Sequence, residues 1–240
     1  MKQNVLGVIG GLGPMATAHF MELAIRMTDA DTDQQNIDMM VYNFPSIPDR
    51  TGYILGSNLR SPLPGLLSVG RDLYRQGAAY IAIPCITAHF FYEDLTAAIP
   101  TPIIHCIRET VKELKKNGIK SAGIMATDGT IRSELISSEL EYAGIRPILP
   151  SSQRQADVMH LIYRNVKAGK PAEMDRFRAV ETELKDKGAQ AIILGCTELS
   201  VIKGEHDIGH GFLDAMEVLA QRSVTLCGGK LKPEYRNLIT

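Results

Sequence analysis

Short apolar runs alternate along this chain with longer stretches in which apolar residues recur at helical spacing. The runs are rich in β-branched residues and end at glycine, proline or small polar residues, so they read as buried parallel strands. The stretches between them read as amphipathic helices. The pattern predicts strands at 5–10, 37–42, 79–84 and 102–105, with helices at 14–28, 62–76, 88–98 and 106–117. It continues with strands at 121–126, 145–148 and 190–195, helices at 129–143, 152–168 and 172–187, a short helical turn after the last strand, and a helix at 212–226. A proline-rich loop fills the gap from about 43 to 61. Strands alternating with helices specify parallel sheets covered on both faces.

The pattern occurs twice. Val5-Leu6-Gly7-Val8-Ile9-Gly10-Gly11 and Ser121-Ala122-Gly123-Ile124-Met125-Ala126-Thr127 are both strands that run into a small-residue turn. Ile81-Ala82-Ile83-Pro84-Cys85 and Ile192-Ile193-Leu194-Gly195-Cys196 are both strands that end on a cysteine, at similar distances from those turns. We read a divergent duplication: an α/β fold of two similar domains, each a parallel sheet flanked by helices, related by pseudo-twofold symmetry. The expected units are residues 1–105, 106–209, and a C-terminal helix and tail, 210–240, that returns to the first domain. An even split would leave that domain one helix short. Open α/β sheets gather ligand chemistry at the C-terminal ends of their strands, so Cys85 and Cys196 are expected to face one another across the cleft between domains.

Composition narrows the class. The 240 residues are 45% hydrophobic and 22% charged, with a formal net charge of −1, which suits a folded protein and gives no reason to expect nucleic acid or an anionic membrane as partner. No apolar run reaches the roughly 18 residues of a membrane span, and the N-terminus lacks a signal-peptide pattern, so a cytoplasmic location is expected. Four scattered cysteines without a CxxC pair suit neither a disulfide framework nor a zinc site. His206 and His210 show no metal-ligand spacing, and Cys106 and Cys227, which lack a matching frame, are expected to be ordinary buried cysteines.

Three loops carry candidate chemistry. Gly10-Gly11-Leu12-Gly13-Pro14 departs from the dinucleotide spacing, and Tyr42-Asn43 stands where an acidic ribose partner would be, so the turn fits a carboxylate better than a nicotinamide cofactor. Ala126-Thr127-Asp128-Gly129-Thr130 supplies two hydroxyls that suit either a carboxylate or a helix cap. Asn43 through Thr51 is long for a compact domain, as lids and binding loops are. Its Arg50 can clamp a carboxylate with a planar fork of donors, although a lone loop arginine is by default a solvated cation.

Together, Gly10 through Pro14, Asn43 through Thr51, Pro84-Cys85-Ile86-Thr87-Ala88-His89, Ala126 through Thr130 and Gly195-Cys196-Thr197-Glu198 resemble the aspartate/glutamate racemase family, in order and over essentially the whole chain. The resemblance implies a cofactor-independent, usually dimeric amino-acid racemase, with Cys85 and Cys196 as its acid and base. It implies that Arg50 and a lysine of the segment 163–170, which we map to Lys167, hold the substrate's side-chain carboxylate. Gly11, Thr87, Thr127, Thr130, Thr197 and Glu198 complete the expected substrate-binding set; no metal is expected. A helix start after each cysteine is one way to lower a thiol's pKa from its usual value of about 8.5.

One residue departs from the family pattern. The family has asparagine between the cysteine and the threonine of the first frame, and here Ile86 stands there, removing an amide that contacts the bound amino acid. If Ile86 points into the cleft, the substrate is larger, more apolar or bound differently. Two alternatives to an aspartate or glutamate racemase therefore stay open: a related isomerase or decarboxylase acting on another carboxylate, and a non-catalytic carboxylate-binding protein. His89 is either a polar residue satisfied near its helix start or part of the catalytic surroundings.

Overall fold

The structure is a computed structural model that describes residues 4–239. The first sheet has three parallel strands, β1 (Leu6–Gly10), β2 (Met39–Asn43) and β3 (Tyr80–Ala82), in the order β2-β1-β3. The second has four, β4 (Ser121–Met125), β5 (Arg146–Ile148), β6 (Ala191–Leu194) and β7 (Phe212–Asp214), in the order β5-β4-β6-β7. Both halves thus put their first strand in the middle and the cysteine-bearing strand beside it.

The period-two alternation of strand residues distributes three cores. Leu6 and Val8 of β1 share one core with Ala122 and Ile124 of β4 and Ile193 of β6. Ile9 looks the other way, into a core with Ile81 and Ile83, while Ile192 and Leu194 join a third behind the second sheet. The halves are therefore joined by continuous apolar packing, with α5 (Cys106–Lys116) and α11 (Ala215–Leu226) contributing to the shared core. The last helix packs against both α5 and α1 (Pro14–Met27), and the tail follows it: Lys232 N–H donates to Met27 O at 3.0 Å.

Several elements differ from the sequence reading for local reasons. Residues 212–214, expected as the start of the last helix, form β7, paired with Ile192 through Leu194. Asp214 then caps α11 by accepting from Met216 N–H at 2.8 Å, so the helix begins at Ala215. The helix expected over 129–143 is broken into α6 (Asp128–Arg132) and α7 (Leu135–Tyr142) at Glu134, whose φ is 54°. The strand expected at 102–105 is reduced to one bridge between Ile103 and Ile81. The proline-rich loop holds a short helix, α2 (Arg50–Ile54), capped by Asp49 Oδ2 accepting from Gly52 N–H at 2.6 Å. The helix expected over 152–168 is α-helical only in α8 (Ser152–Met159), then turns through a π segment at His160–Asn165 and a 3₁₀ turn at Val166–Ala168. α9 (Met174–Asp186) follows.

Gly11 ties this loop to the first sheet. Its φ is +88°, and a Cβ there would lie 2.3 Å from the Phe44 backbone. Gly11→Ala combines a left-handed strain with a backbone clash and is expected to cost about 3 kcal/mol. Urea unfolding checks this, and an unchanged midpoint would disprove it.

Candidate active site

Each frame cysteine stands in extended backbone where its strand gives way to a helix. Cys85 (φ −161°) precedes a 3₁₀ segment, Ile86–Phe91, that leads into α4 (Tyr92–Ala98), and Cys196 (φ −145°) precedes α10 (Thr197–Glu205). Both are 8% exposed. They line one tight cavity of about 10 Å³ together with Arg50, Thr87, Thr127, Lys167, Thr197 and Glu198. That is room for about one water, far below the roughly 300–1,000 Å³ of ligand pockets. It opens beside a vestibule of about 320 Å³ whose lining includes Gly11, and which Arg50, Lys167 and Glu198 also line. A larger hollow of about 780 Å³, between Asn4, Asp38, Cys227 and Lys230, contains neither frame cysteine. The smaller cavity is where both thiols, two cations and the hydroxyls converge.

Arg50 is not a solvated loop cation. It is 6% exposed, and its guanidinium donates to three backbone carbonyls: Nη2 to Leu12 O at 2.5 Å, and Nη1 to Pro48 O at 3.1 Å and Ile47 O at 3.4 Å. Its Nε is buried without a hydrogen-bond partner. Burial disfavours the cation, yet the nearby Cys85 and Asp49 outweigh this and hold its pKa above the ordinary arginine value. The loop is thus stitched by its own arginine, which keeps one edge of donors toward the thiol.

The opposite wall comes from the irregular stretch after α8. The π and 3₁₀ turns bring Tyr163 and Lys167 to the cavity, with Lys167 Nζ 5.0 Å from the centre of the Tyr163 ring. Lys167 Nζ lies 3.4 Å from Glu198 Oε1. Burial lowers the lysine pKa, but Glu198 and Cys196 more than reverse this, so the ammonium is firmly charged. Glu198 Oε2 accepts from Cys196 Sγ at 2.9 Å and from Thr197 Oγ1 at 3.2 Å. Burial, and then the Glu198 charge, push the Cys196 thiol well above its ordinary pKa, with Lys167 opposing. A helix start does not win at Cys196: a buried carboxylate in contact is stronger than the partial charge of a helix end.

The hydroxyls form a buried trio across the two halves. Thr87 Oγ1 lies 3.0 Å from both Thr127 Oγ1 and Thr130 Oγ1, and the latter two are 3.2 Å apart. Thr127 also caps its helix, accepting from Thr130 N–H at 3.3 Å, so one side chain both caps and faces the cavity. Thr130 stands one hydrogen bond behind the lining.

His89 is held outside the cavity. Cys106 N–H donates to its Nε2 at 3.1 Å, so Nδ1 carries the proton and donates to Cys85 O at 3.1 Å. Burial depresses its pKa, which keeps the ring neutral. It fixes the backbone of Cys85 to the start of α5. Cys106 and Cys227 are buried, and the Cys106 thiol donates to Ala215 O at 3.2 Å.

Residues not picked from the sequence also line the cavity, among them Asp49, Thr51 and Tyr163. Tyr163 Oη donates to Asp49 Oδ1 at 3.3 Å, and burial raises its pKa to about 12. Its spacing of four from Lys167 is the signal that could have found it. Ile86 borders the cavity but packs into the shared core with Ile107, Val111, Ile136 and Ile193.

Known proteins resemble this chain over most of its length. Residues 9–222 match the family model described as Asp/Glu/Hydantoin racemase. The chain is 25% identical over 228 residues to the broad specificity amino-acid racemase RacX of Bacillus subtilis, covering 92% of this chain and 97% of that one. The structure of Picrophilus torridus aspartate racemase superposes with a TM-score of 0.87 at 30% identity, covering 98% and 99% of the two chains. The glutamate racemase of Francisella tularensis shares the fold, with a TM-score of 0.66 at 19% identity over 94% of this chain and 81% of that one. The chain therefore belongs to the Asp/Glu/Hydantoin racemase family and is an isomerase, an amino-acid racemase.

Proposed function

We propose that the enzyme racemises an acidic amino acid, aspartate or glutamate first, without a cofactor, using Cys85 and Cys196 as acid and base on opposite faces of the α-carbon. The observation that carries this reading is that both thiols line one small cavity with Arg50 and Lys167 at its wall. An α-proton is far less acidic than any side chain, so the site must hold a base against it and stabilise the charge that develops as it leaves. In this reading one sulfur is a thiolate that takes the proton. The other is a thiol that delivers its own to the opposite face. Roles reverse with the hand of the substrate.

The threonine hydroxyls at 87, 127 and 197, with Thr130 supporting the first two from behind, and the backbone near Gly11 would receive the main-chain carboxylate as it gains enediolate character. Arg50, through the edge left free of backbone carbonyls, and Lys167 would receive the side-chain carboxylate. Ile86 packs partly into the shared core and partly against the cavity, where it offers no amide to the substrate. The homodimer implied by the family resemblance, the cytoplasmic location and the division into units at 105/106 and 209/210 belong to this proposal too.

A second reading, a wider substrate range, has its own support. The vestibule is lined by Leu12, Met15, Ile47, Val166 and Val201, apolar surface that an aspartate side chain has no use for, and the relative from Bacillus subtilis is named for broad specificity. Proton magnetic resonance of D- and L-amino acids in heavy water tests both readings. Loss of the α-proton signal with aspartate or glutamate of both hands is expected. Exchange confined to neutral or basic amino acids would replace the first reading with the second.

A further inference from the structure

The two thiols are set in unlike electrostatic surroundings. Cys85 faces the Arg50 guanidinium, whereas Cys196 donates to a carboxylate, Glu198, at 2.9 Å. Glu198 is itself 4% exposed, and its two oxygens are engaged in different directions: Oε2 toward Cys196 and Thr197, Oε1 toward Lys167. Of the side chains hydrogen-bonded to Cys196, it is the one that also borders the vestibule. A carboxylate that touches the reacting sulfur on one side and the route to solvent on the other is placed to carry protons between them.

We propose that Glu198 is the proton relay of Cys196, exchanging that thiol's proton with solvent through the vestibule, so that the free enzyme rests with its thiolate on Cys85. The proposal rests on the two-thiol reading and deepens it. A racemase that takes a proton with one sulfur and gives one from the other finishes each turnover with the two roles exchanged. After Cys85 has abstracted and Cys196 has delivered, Cys85 is a thiol and Cys196 a thiolate. That form sets two negative charges, the Cys196 sulfur and the Glu198 carboxylate, against each other in a buried site.

Reset follows in balanced steps. Solvent protonates the Glu198 carboxylate, forming an O–H bond. That bond breaks as the proton passes to the Cys196 sulfur, forming S–H and restoring the carboxylate. Cys85 S–H then gives its proton to water, and one proton has entered for one that left. For a substrate of the opposite hand the relay runs backwards: Cys85 takes a proton from water while Glu198 takes the Cys196 proton and releases it to the vestibule, leaving a thiol at Cys85 and a thiolate at Cys196 ready to abstract. Lys167 stands 3.4 Å from Glu198 Oε1, and Arg50 lines the same cavity as Cys85.

Glu198→Gln tests the relay, with Glu198→Asp as the conservative variant. Reset of the free enzyme enters kcat but not kcat/KM. For an amino acid that the wild type racemises, Glu198→Gln is expected to lower kcat by about a hundredfold, as loss of a positioned acid–base group does, while kcat/KM moves by less than about threefold. Glu198→Asp should recover part of kcat. A residue that merely shaped the cavity would lower both parameters together, and that result, without recovery in the aspartate variant, would overturn the relay.

A second measurement is independent of substrate. Cys85 and Cys196 are both 8% exposed, and the change in each one's rate of alkylation by iodoacetamide between wild type and Glu198→Gln, followed by peptide mass spectrometry, reports the change in its ionisation. Cys85 should react first in the wild type. In Glu198→Gln the Cys196 rate at pH 8 should rise by about tenfold, as thiolate becomes easier to form. An unchanged Cys196 rate would overturn the relay even in an enzyme that racemises. Absence of α-proton exchange with every amino acid, by contrast, would remove the two-thiol reading while the alkylation rates still judged the Cys196–Glu198 pairing.

Discussion

Serine at either position 85 or position 196 is expected to lower racemisation by about 10³-fold, equivalent to about 4 kcal/mol of transition-state stabilisation. The hydroxyl of serine is too weak an acid to supply the base at neutral pH, and inversion needs both partners because the proton leaves one face and returns to the other. The two variants should fail differently. With Cys196→Ser, Cys85 can still remove an α-proton from one hand of the substrate and return a deuteron to the same face, giving exchange with retention. With Cys85→Ser the surviving exchange should belong to the other hand. Chiral chromatography reads inversion, and proton magnetic resonance in heavy water reads exchange. Both sulfurs are buried and the substitution is nearly isosteric, so the fold should persist, as circular dichroism would show. Racemisation within tenfold of wild type by either variant would end the two-thiol mechanism.

Arg50→Met is expected to damage stability and turnover together. The guanidinium donates to the carbonyls of Leu12, Pro48 and Ile47, and methionine fills similar space while leaving them without donors. Hydrogen bonds from a charged group are worth about 1.5–3 kcal/mol each and are not additive, so a loss of about 3 kcal/mol is a reasonable expectation. For a chain of this length that corresponds to a fall in Tm of about 6 to 12 °C. Racemisation should drop by about 10²-fold beyond any loss of folded protein, since a positioned cation that orients the substrate through its side-chain carboxylate is gone. Arg50→Lys keeps the charge but not the fork, and should fall between the two. A Tm within 1 °C of wild type in Arg50→Met would show that the loop is held by other contacts.

The two cysteine frames were legible because each combines features that local physics reads alone: a β-branched buried run, a cysteine, and residues able to start a helix. The fold class was legible for the same reason, since strand and helix periodicities differ and their alternation implies parallel sheets. Arg50 was recognisable as a candidate from its long proline-rich loop and from the family resemblance, but not as a buried residue. Its burial depends on carbonyls at Leu12, Pro48 and Ile47 converging on one point, and no local pattern announces that. Tyr163 escaped because the helix expected over 152–168 changes to a π turn at His160, a change of winding that side-chain periodicity does not encode. β7 escaped because three residues are too few to show a period, and Phe212 through Asp214 become a strand only because β6 offers an open edge.

Sequence by itself determined the alternation of elements, the duplication, the family, and the two thiols as the chemically interesting pair. These follow from short-range preferences and from residue types that recur in matched frames. Tertiary structure alone decided what surrounds each thiol. It turned Ile86 into the shared core, made His89 a neutral tie between Cys85 and α5, and set a guanidinium by one sulfur and a carboxylate by the other. Such environments are built from segments far apart in the chain, and the energy of a charge depends on the distance and burial of its neighbours, which only the folded arrangement specifies.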